Sequence, residues 1–419
     1  MKYLLNYNLD NQFKADQVSA GGNGDNVVSV VDGVAWTADR EKVYYRRGPL
    51  TQDTLTSYTV TVQYVYYQDG SQLSNSYSYT VDSFKNKSVK EFLTPISIDD
   101  YVPLESGKTI WVSGDTTYSF KYKAKPDYSV PLTFDIISGG TIYWNQAYNP
   151  IEYNKNGYGW DTLPSSLYVS SGDEIQFRGN DFSYGNFSAS TNTRFSVRGN
   201  IMSLIDSTGF TKETSLGTNG RLEVLFEGCG GLINACELIL PATALTNNCY
   251  IRMFSGCTSL TTAPELPATT LAEYCYTSMF AGCTSLTTAP ELPATALTQH
   301  CYYGMFQGCT SLTTAPELPA TTLETYCYSN MFQGCTSLTT APALPATTLV
   351  IYCYRYMFQG CTSLNYIKCL AIYKSASGCT NGWVIGVASS GTFVKHPSTS
   401  WSRGVDGVPN DWTITNSTD

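Results

Sequence analysis

Hydrophobic and polar positions alternate along the first half of the chain and recur at long range along the second. YTVTVQYVYY and SYSYTV flank the turn QDGSQ, and TIWVSG and YSFKYKAK come after them with the same period of two, which predicts strands over 51–128. LTFDII, TIYW, SLYVSSGDEIQFRG and RFSVRG predict a second group over 129–205. From Met253 to Leu364 the pattern changes. Met253, Met279, Met305, Met331 and Met357 stand 26 residues apart without a slip, and Leu260, Leu266, Leu271, Cys275, Met279 and Phe280 supply the apolar positions. A period in the twenties predicts a solenoid, because one unit cannot bury its own apolar side and must stack on neighbours. Pro264 and Pro267 forbid a helix between them, and YCYTSMFAGC is expected as a single helical turn or tight arc.

The polar stretch 206–220 (DSTGFTKETSLGTNG) reads as a junction. The first unit, from Phe226-Glu227-Gly228-Cys229, takes 28 residues to the next Gly-Cys because Ile239 and Leu240 are extra, as a terminal unit would. After Cys369 the pattern dissolves, and the C-terminal residues are expected to cover the last unit. The fold class is therefore mainly β: an N-terminal docking module at 1–50, β-sandwich-type modules at 51–128 and 129–205, a short solenoid at 206–375 and a C-terminal cap at 376–419.

Composition narrows the function. Only 14% of the 419 residues are charged, while 32 are tyrosine, and the net charge of −9 argues against nucleic acid, which needs a basic face. No apolar run reaches the ~18 residues of a membrane span or the length of a signal peptide, so the chain is expected to be made in the cytoplasm without membrane insertion. All 14 cysteines fall between 229 and 379 in two sets, one after glycine (Cys257, Cys283, Cys309, Cys335, Cys361) and one before tyrosine (Cys249, Cys275, Cys301, Cys327, Cys353). Each set would form a ladder with rungs about 4.7–4.9 Å apart, within disulfide reach. A ladder offers every cysteine two equal partners, however, and cytoplasmic thiols stay reduced, which favours buried free thiols over disulfides and both over zinc.

At MFxGCTSLTTAPELP, the Phe-x-x-Cys-x-x-Leu spacing with its following Leu-Pro resembles the BspA-like leucine-rich repeat of bacterial and protozoal surface proteins, with TAPEL in place of a β-branched strand. The Cys-Tyr variety, the exit TSLNYIKCLA and the ending GVASSGTFVK…SW…GVPNDWT are similar to proteins of Bacteroides and of crAss-like and related gut phages. IEYNKNGYGWDTL, VSSGDEIQFRGN and FSVRGNIMSLI are similar to the module preceding such repeats, so the resemblance spans about 135–419, and DGVAWTADREKVYY resembles segments of the same phage proteins. The resemblance implies a leucine-rich-repeat solenoid and an exposed adhesive or structural role with no shared catalytic residues. The expectation is a virion surface protein: a head fibre or capsid decoration, with a tail-associated position as an alternative. It would meet the phage capsid or other virion proteins through its N-terminal region and a host-surface or mucosal glycan or protein through the solenoid, as a homo-oligomer. A bacterial cell-surface adhesin of the same repeat family would need an export signal, which ranks it second. A glycan hydrolase would need a carboxylate pair converging in the β-modules.

Candidate chemistry is sparse, and neither catalytic residues nor a cofactor or metal is expected. There are two histidines, His300 and His396, and the neighbouring acids Asp99-Asp100 and Asp173-Glu174 would point to opposite faces of a strand. Asn23, Asp25 and Asn26 fit no calcium loop and read as a turn. Variation among the units concentrates in two columns: Ala272-Glu273, Thr298-Gln299-His300, Glu324-Thr325 and Val350-Ile351; then Ile251-Arg252, Thr277-Ser278, Tyr303-Gly304, Ser329-Asn330 and Arg355-Tyr356. Stacking would turn these into stripes holding Arg252, His300, Tyr303, Arg355 and Tyr356, a candidate contact face because Arg and Tyr dominate binding hot spots. The second candidate is the run Tyr143, Trp144, Tyr148, Tyr153, Tyr158 and Trp160, which suits either sugar stacking or a sandwich core.

Overall fold

The longest period-two runs form the longest strands, Leu55–Tyr66 and Gln72–Phe84, paired antiparallel. The computed structural model describes residues 27–31, 34–37, 42–44, 55–66, 70–84, 89–103, 107–145, 150–182 and 184–417. The chain is mainly β and divides into two compact units, 1–125 and 126–419. In the first, Thr116–Ala124 lies parallel to Leu55–Tyr66, Tyr101–Pro103 closes that sheet, and Val89–Leu93 pairs with Lys108–Val112 in a second. The inward side chains Val60, Val62, Tyr64, Val81, Phe120 and Tyr122 meet Leu93 and Val112 in one core, because alternate residues of a strand share a face. Of the expected module 1–50, a three-stranded antiparallel sheet (Val27–Val31, Val34–Thr37, Lys42–Tyr44) is described, and the remainder lies outside the described residues.

The second unit starts as two sheets over a phenylalanine-rich core. One runs Trp160–Thr162, Glu152–Lys155, Glu174–Arg178, Leu132–Ser138, Arg194–Asn200, Leu232–Ile239; the other runs Ser166–Val169, Gly140–Asn145, Asn186–Ala189. Phe134, Phe177, Phe187, Phe195 and Trp144 fill the space between them. Of the two extra residues of the first repeat, Ile239 ends the strand Leu232–Ile239, which pairs parallel with Arg194–Asn200, and Leu240 follows it. The repeats therefore continue this sheet: Asn234 bridges Thr262, and the Ala235 amide donates to the Thr262 carbonyl. Stretch 206–220 is tied in through Asn200 Nδ2, which donates to the Phe210 carbonyl, and through buried Leu216.

Each repeat then turns on the next without forming a helix. YCYTSMFAGC is an arc of consecutive turns. The amides of Cys275, Thr277, Met279, Ala281 and Cys283 donate to carbonyls three residues back, while those of Tyr274, Tyr276, Ser278, Phe280 and Gly282 donate to Gln299, Cys301, Tyr303, Met305 and Gln307 of the next repeat. This alternation requires a left-handed residue at every fourth position: Tyr274 (φ 61°), Ser278 (φ 52°) and Gly282 (φ 74°), then His300, Gly304 and Gly308, and so on. TAPEL is too proline-rich for a ladder and is reduced to isolated bridges such as Thr288 with Thr314.

Inward residues stack in columns. Phe254, Phe280, Phe306, Phe332 and Phe358 have ring centroids 5.4–5.9 Å apart. Tyr250, Tyr276, Tyr302, Tyr328 and Tyr354 repeat at 5.8–6.2 Å. The phenylalanine column runs through Phe226 into Phe187 and Phe134, so one core spans the sheets and the repeats. All fourteen cysteines are free thiols. The Gly-Cys set donates across repeats, Cys283 Sγ to the Phe254 carbonyl (3.1 Å) and Cys309 Sγ to that of Phe280 (3.1 Å), and burial pushes Cys301 and Cys361 up to about 12.

The stacking outlasts its sequence signature. Cys379 lies 26 residues after Cys353, and Gly386 lies 26 after Gly360 with the same left-handed backbone; Trp383 stands at the Met357 position, and its backbone carbonyl accepts from the Phe358 amide. Tyr366–Cys369, Thr392–Lys395 and Thr413–Asn416 then form a parallel sheet, with Trp401 stacked on Trp383 at 5.5 Å.

Phe306 sits between two rings at 5.7 Å and is fully buried, so Phe306→Ala should cost about 3–5 kcal/mol in denaturant unfolding. Thiol labelling should be slow in the native protein and near complete after denaturation without reductant; a majority of oxidised cysteines would contradict the free-thiol ladders.

Candidate functional site

The arc sorts side chains in pairs. Cys275-Tyr276 and Met279-Phe280 point inward and are buried; Glu273-Tyr274, Thr277-Ser278 and Ala281-Gly282 point outward. The second variable column of the sequence is therefore an outward pair of the arc. The first straddles its edge, with Ala272 and Val350 packed against the core and Glu273, Gln299 and Ile351 outward, and every stripe residue stands on the outward face. Arg252, left-handed at φ 52°, pairs with Glu227. His300 and Tyr303 have ring centroids 5.9 Å apart. Arg355 lies over Tyr356 at 4.8 Å and over Tyr352 at 5.3 Å.

The face holds two features beyond the stripe. Tyr274, His300, Tyr326 and Tyr352 form a ring column one residue beyond the first variable pair, with centroids 4.4, 4.6 and 4.8 Å apart. Their 26-residue spacing is a signal in the sequence, but it hides there because Tyr274, Tyr326 and Tyr352 belong to an apparently constant Tyr-Cys-Tyr. The third outward column carries an amide ladder, Gln307 Nε2 to Gln333 Oε1 (2.8 Å) and Gln333 Nε2 to Gln359 Oε1 (2.5 Å). Since the rings of the Tyr-His column face one another, the column shows solvent mainly edges and hydroxyls.

The aromatic run 143–160 does not converge on one surface. Tyr143 is exposed on the outer face of its sheet, whereas its neighbour Trp144 is buried against Phe187. Tyr153 packs against the core, Tyr158 protrudes from a turn, and the Arg178 guanidinium covers Trp160 at 4.1 Å. Tyr148 lies outside the described residues, as do Asn23, Asp25 and Asn26.

The remaining polar candidates have structural partners. Asp173 accepts from Lys155 (2.7 Å), from the Ser170 amide and from Asn156; burial opposes its ionisation, but these bonds hold its carboxyl down at about 2. Glu174 pairs with Arg198. His396 Nδ1 accepts from the Ser398 amide, fixing a turn. Among the described residues, no group of three or more His, Cys, Asp or Glu could hold a metal, and no helix is long and apolar enough to cross a membrane. Comparison with protein-family models, with curated proteins and with solved structures yields no match.

His300 is the one titratable imidazole in the ring column. Its Nδ1 is buried without a hydrogen-bond partner, and desolvation between Tyr274 and Tyr326 lowers its pKa below the ordinary 6.5, partly countered by Glu273. The folded state therefore prefers the neutral ring. Its contribution to stability is complete above about pH 6.5 and declines as pH falls below that through the lowered native pKa. His300→Tyr, which continues the column, should remove this component from the melting temperature measured between pH 8 and pH 5; an unchanged profile would place the pH dependence elsewhere.

Proposed function

We propose that this chain is a non-enzymatic phage virion surface protein, a head fibre or capsid decoration or a tail-associated protein. In this reading a leucine-rich-repeat-type solenoid, closed by the C-terminal residues as a cap, presents its turn arc to a glycan or protein of the host surface or mucosa. The observation that carries the recognition role is the distribution of variation: inward pairs of the arc are nearly invariant from repeat to repeat, while outward pairs differ and gather Tyr303, Arg355 and Tyr356 on one face. Packing explains the invariance of the inner pairs, and solvent exposure permits the outer ones to diverge. Tyrosine and arginine are the residue types that recognition surfaces favour. The stacking of Trp401 on Trp383 and the buried Trp412 support the cap, since they cover apolar side chains of the last repeat. The virion assignment rests on the resemblance of 135–419 to gut-phage proteins, with attachment through the N-terminal region and homo-oligomerisation as part of the same reading.

Mass spectrometry of purified virions against washed host envelopes tests the location. Enrichment in virions is expected; enrichment in envelopes would favour the bacterial cell-surface adhesin. For the face, replacing Tyr303, Arg355 and Tyr356 together by Ala should abolish binding to host cells while shifting the melting temperature little. Undiminished binding by a folded triple variant would move recognition off the arc.

A further inference from the structure

Seven arginines fall among the described residues, and six have carboxylate or main-chain partners. Arg178, Arg198, Arg221 and Arg252 pair with carboxylates, and Arg194 and Arg403 donate to main-chain carbonyls. Arg355 alone has neither: no carboxylate pairs with it among the described residues, and its Nε is buried with no hydrogen-bond partner. What holds it is tyrosine, through a side-chain hydrogen bond with Tyr356 and through two rings. Its guanidinium carbon lies 4.8 Å from the Tyr356 ring centroid and 5.3 Å from that of Tyr352, within cation–π range.

The cradle around it is shaped by the next turn of the chain. A Cβ at Gly378 would come within 2.2 Å of the Tyr352 ring, and one at Gly382 within 2.4 Å of the Tyr356 ring. Both glycines occupy left-handed positions; preceding repeats carry side chains at 300 and 326 in the first column and at 278 and 330 in the second, where Gly304 is also bare. Their bareness lets the two rings settle against the backbone and flank the guanidinium. Tyr352 is stacked on Tyr326 at 4.8 Å and approached by the Arg355 guanidinium and by the Gly378 backbone.

We propose that Arg355 and the tyrosines that hold it form an oxyanion site for an acidic glycan, taking a carboxylate or sulfate of a sugar at the edge of the guanidinium. A guanidinium carries five N–H donors in a planar fork that matches such oxyanions, more than the bond to Tyr356 occupies. A chain with net charge −9 has many acids that could have paired here, and none of the described ones does. A glycan fits better than an acidic peptide because the neighbouring outward side chains are Tyr303, Asn330, Gln333 and Gln359, donors and acceptors suited to hydroxyls. The site deepens the recognition role proposed above and rests on that reading.

The test is calorimetric titration of the full chain with a heparin-derived octasaccharide, an oligogalacturonate and a neutral maltooligosaccharide, with sodium sulfate and sodium acetate as free-anion controls. Binding of the sulfated or the uronate oligosaccharide is expected, weakening with salt, and the preferred one identifies the oxyanion. Arg355→Gln should lower that affinity about tenfold to a hundredfold, the scale of a charge-assisted bidentate contact. Arg355→Lys, which keeps the charge and loses the fork, should fall between the two and serves alone if the Gln variant melts early. Equal affinity of Arg355→Lys, Arg355→Gln and the parent would overturn the oxyanion site. So would binding of the maltooligosaccharide alone; if that binding, or adhesion to host cells, is lost in Tyr303→Ala, the recognition face survives without the anion. Absence of binding to every oligosaccharide and to host cells would overturn both.

Discussion

Half of the amides in the turn arc have no acceptor within their own repeat. Those of Tyr276, Ser278, Phe280 and Gly282 reach carbonyls in the following repeat, and only the intervening ones close local turns. A buried amide without a partner costs about 1–3 kcal/mol, so a lone repeat would carry several such penalties and is not a stable object. Stacking is the condition under which the backbone is satisfied. The register that satisfies it also places residue i over residue i+26 along the repeats.

The side-chain columns are a consequence of that register. Identical residues fall over one another, so a phenylalanine meets a phenylalanine at 5.4–5.9 Å and a thiol meets the carbonyl of an earlier repeat. The thiol–carbonyl contact gives the Gly-Cys cysteines a partner other than one another. The same backbone imposes strain. Bulky residues at positive φ cost roughly 1–2 kcal/mol each, yet Tyr274, His300, Tyr326 and Tyr352 all adopt it. Their mutual stacking at 4.4–4.8 Å offsets this, since an aromatic pair contributes about 0.5–1.5 kcal/mol beyond its buried area. At the third left-handed position of each complete repeat, a glycine avoids the strain (Gly256, Gly282, Gly308, Gly334, Gly360).

The surface is governed by the same geometry. With side chains alternating inward and outward in pairs, only the outward pairs can change without disturbing a column. Chemical individuality therefore gathers on one face of the arc. Near its C-terminal end, the bare positions Gly378 and Gly382 give Tyr352 and Tyr356 room to hold Arg355.

The mainly β class, the long strands, the stacking unit and the inward columns are legible in the linear chain, because each is written in a period, two in the strands and 26 in the repeats, that burial enforces. Variation likewise marks Arg252, His300, Tyr303, Arg355 and Tyr356 as outward positions. Other features exist only in three dimensions. The arc's turns are invisible to propensity, since tyrosine and serine at positive φ contradict local preference and persist only because a neighbouring repeat supplies acceptors. The continuation through Cys379, Gly386 and Trp383 is hidden because backbone bonding keeps the register after most side chains have diverged. The aromatic run 143–160 reads as a cluster in one dimension, but alternation along a strand sends Tyr143 to solvent and Trp144 to the core. Arg355 differs from the other described arginines only in what lies around it, and no linear pattern records which carboxylates fail to reach a side chain.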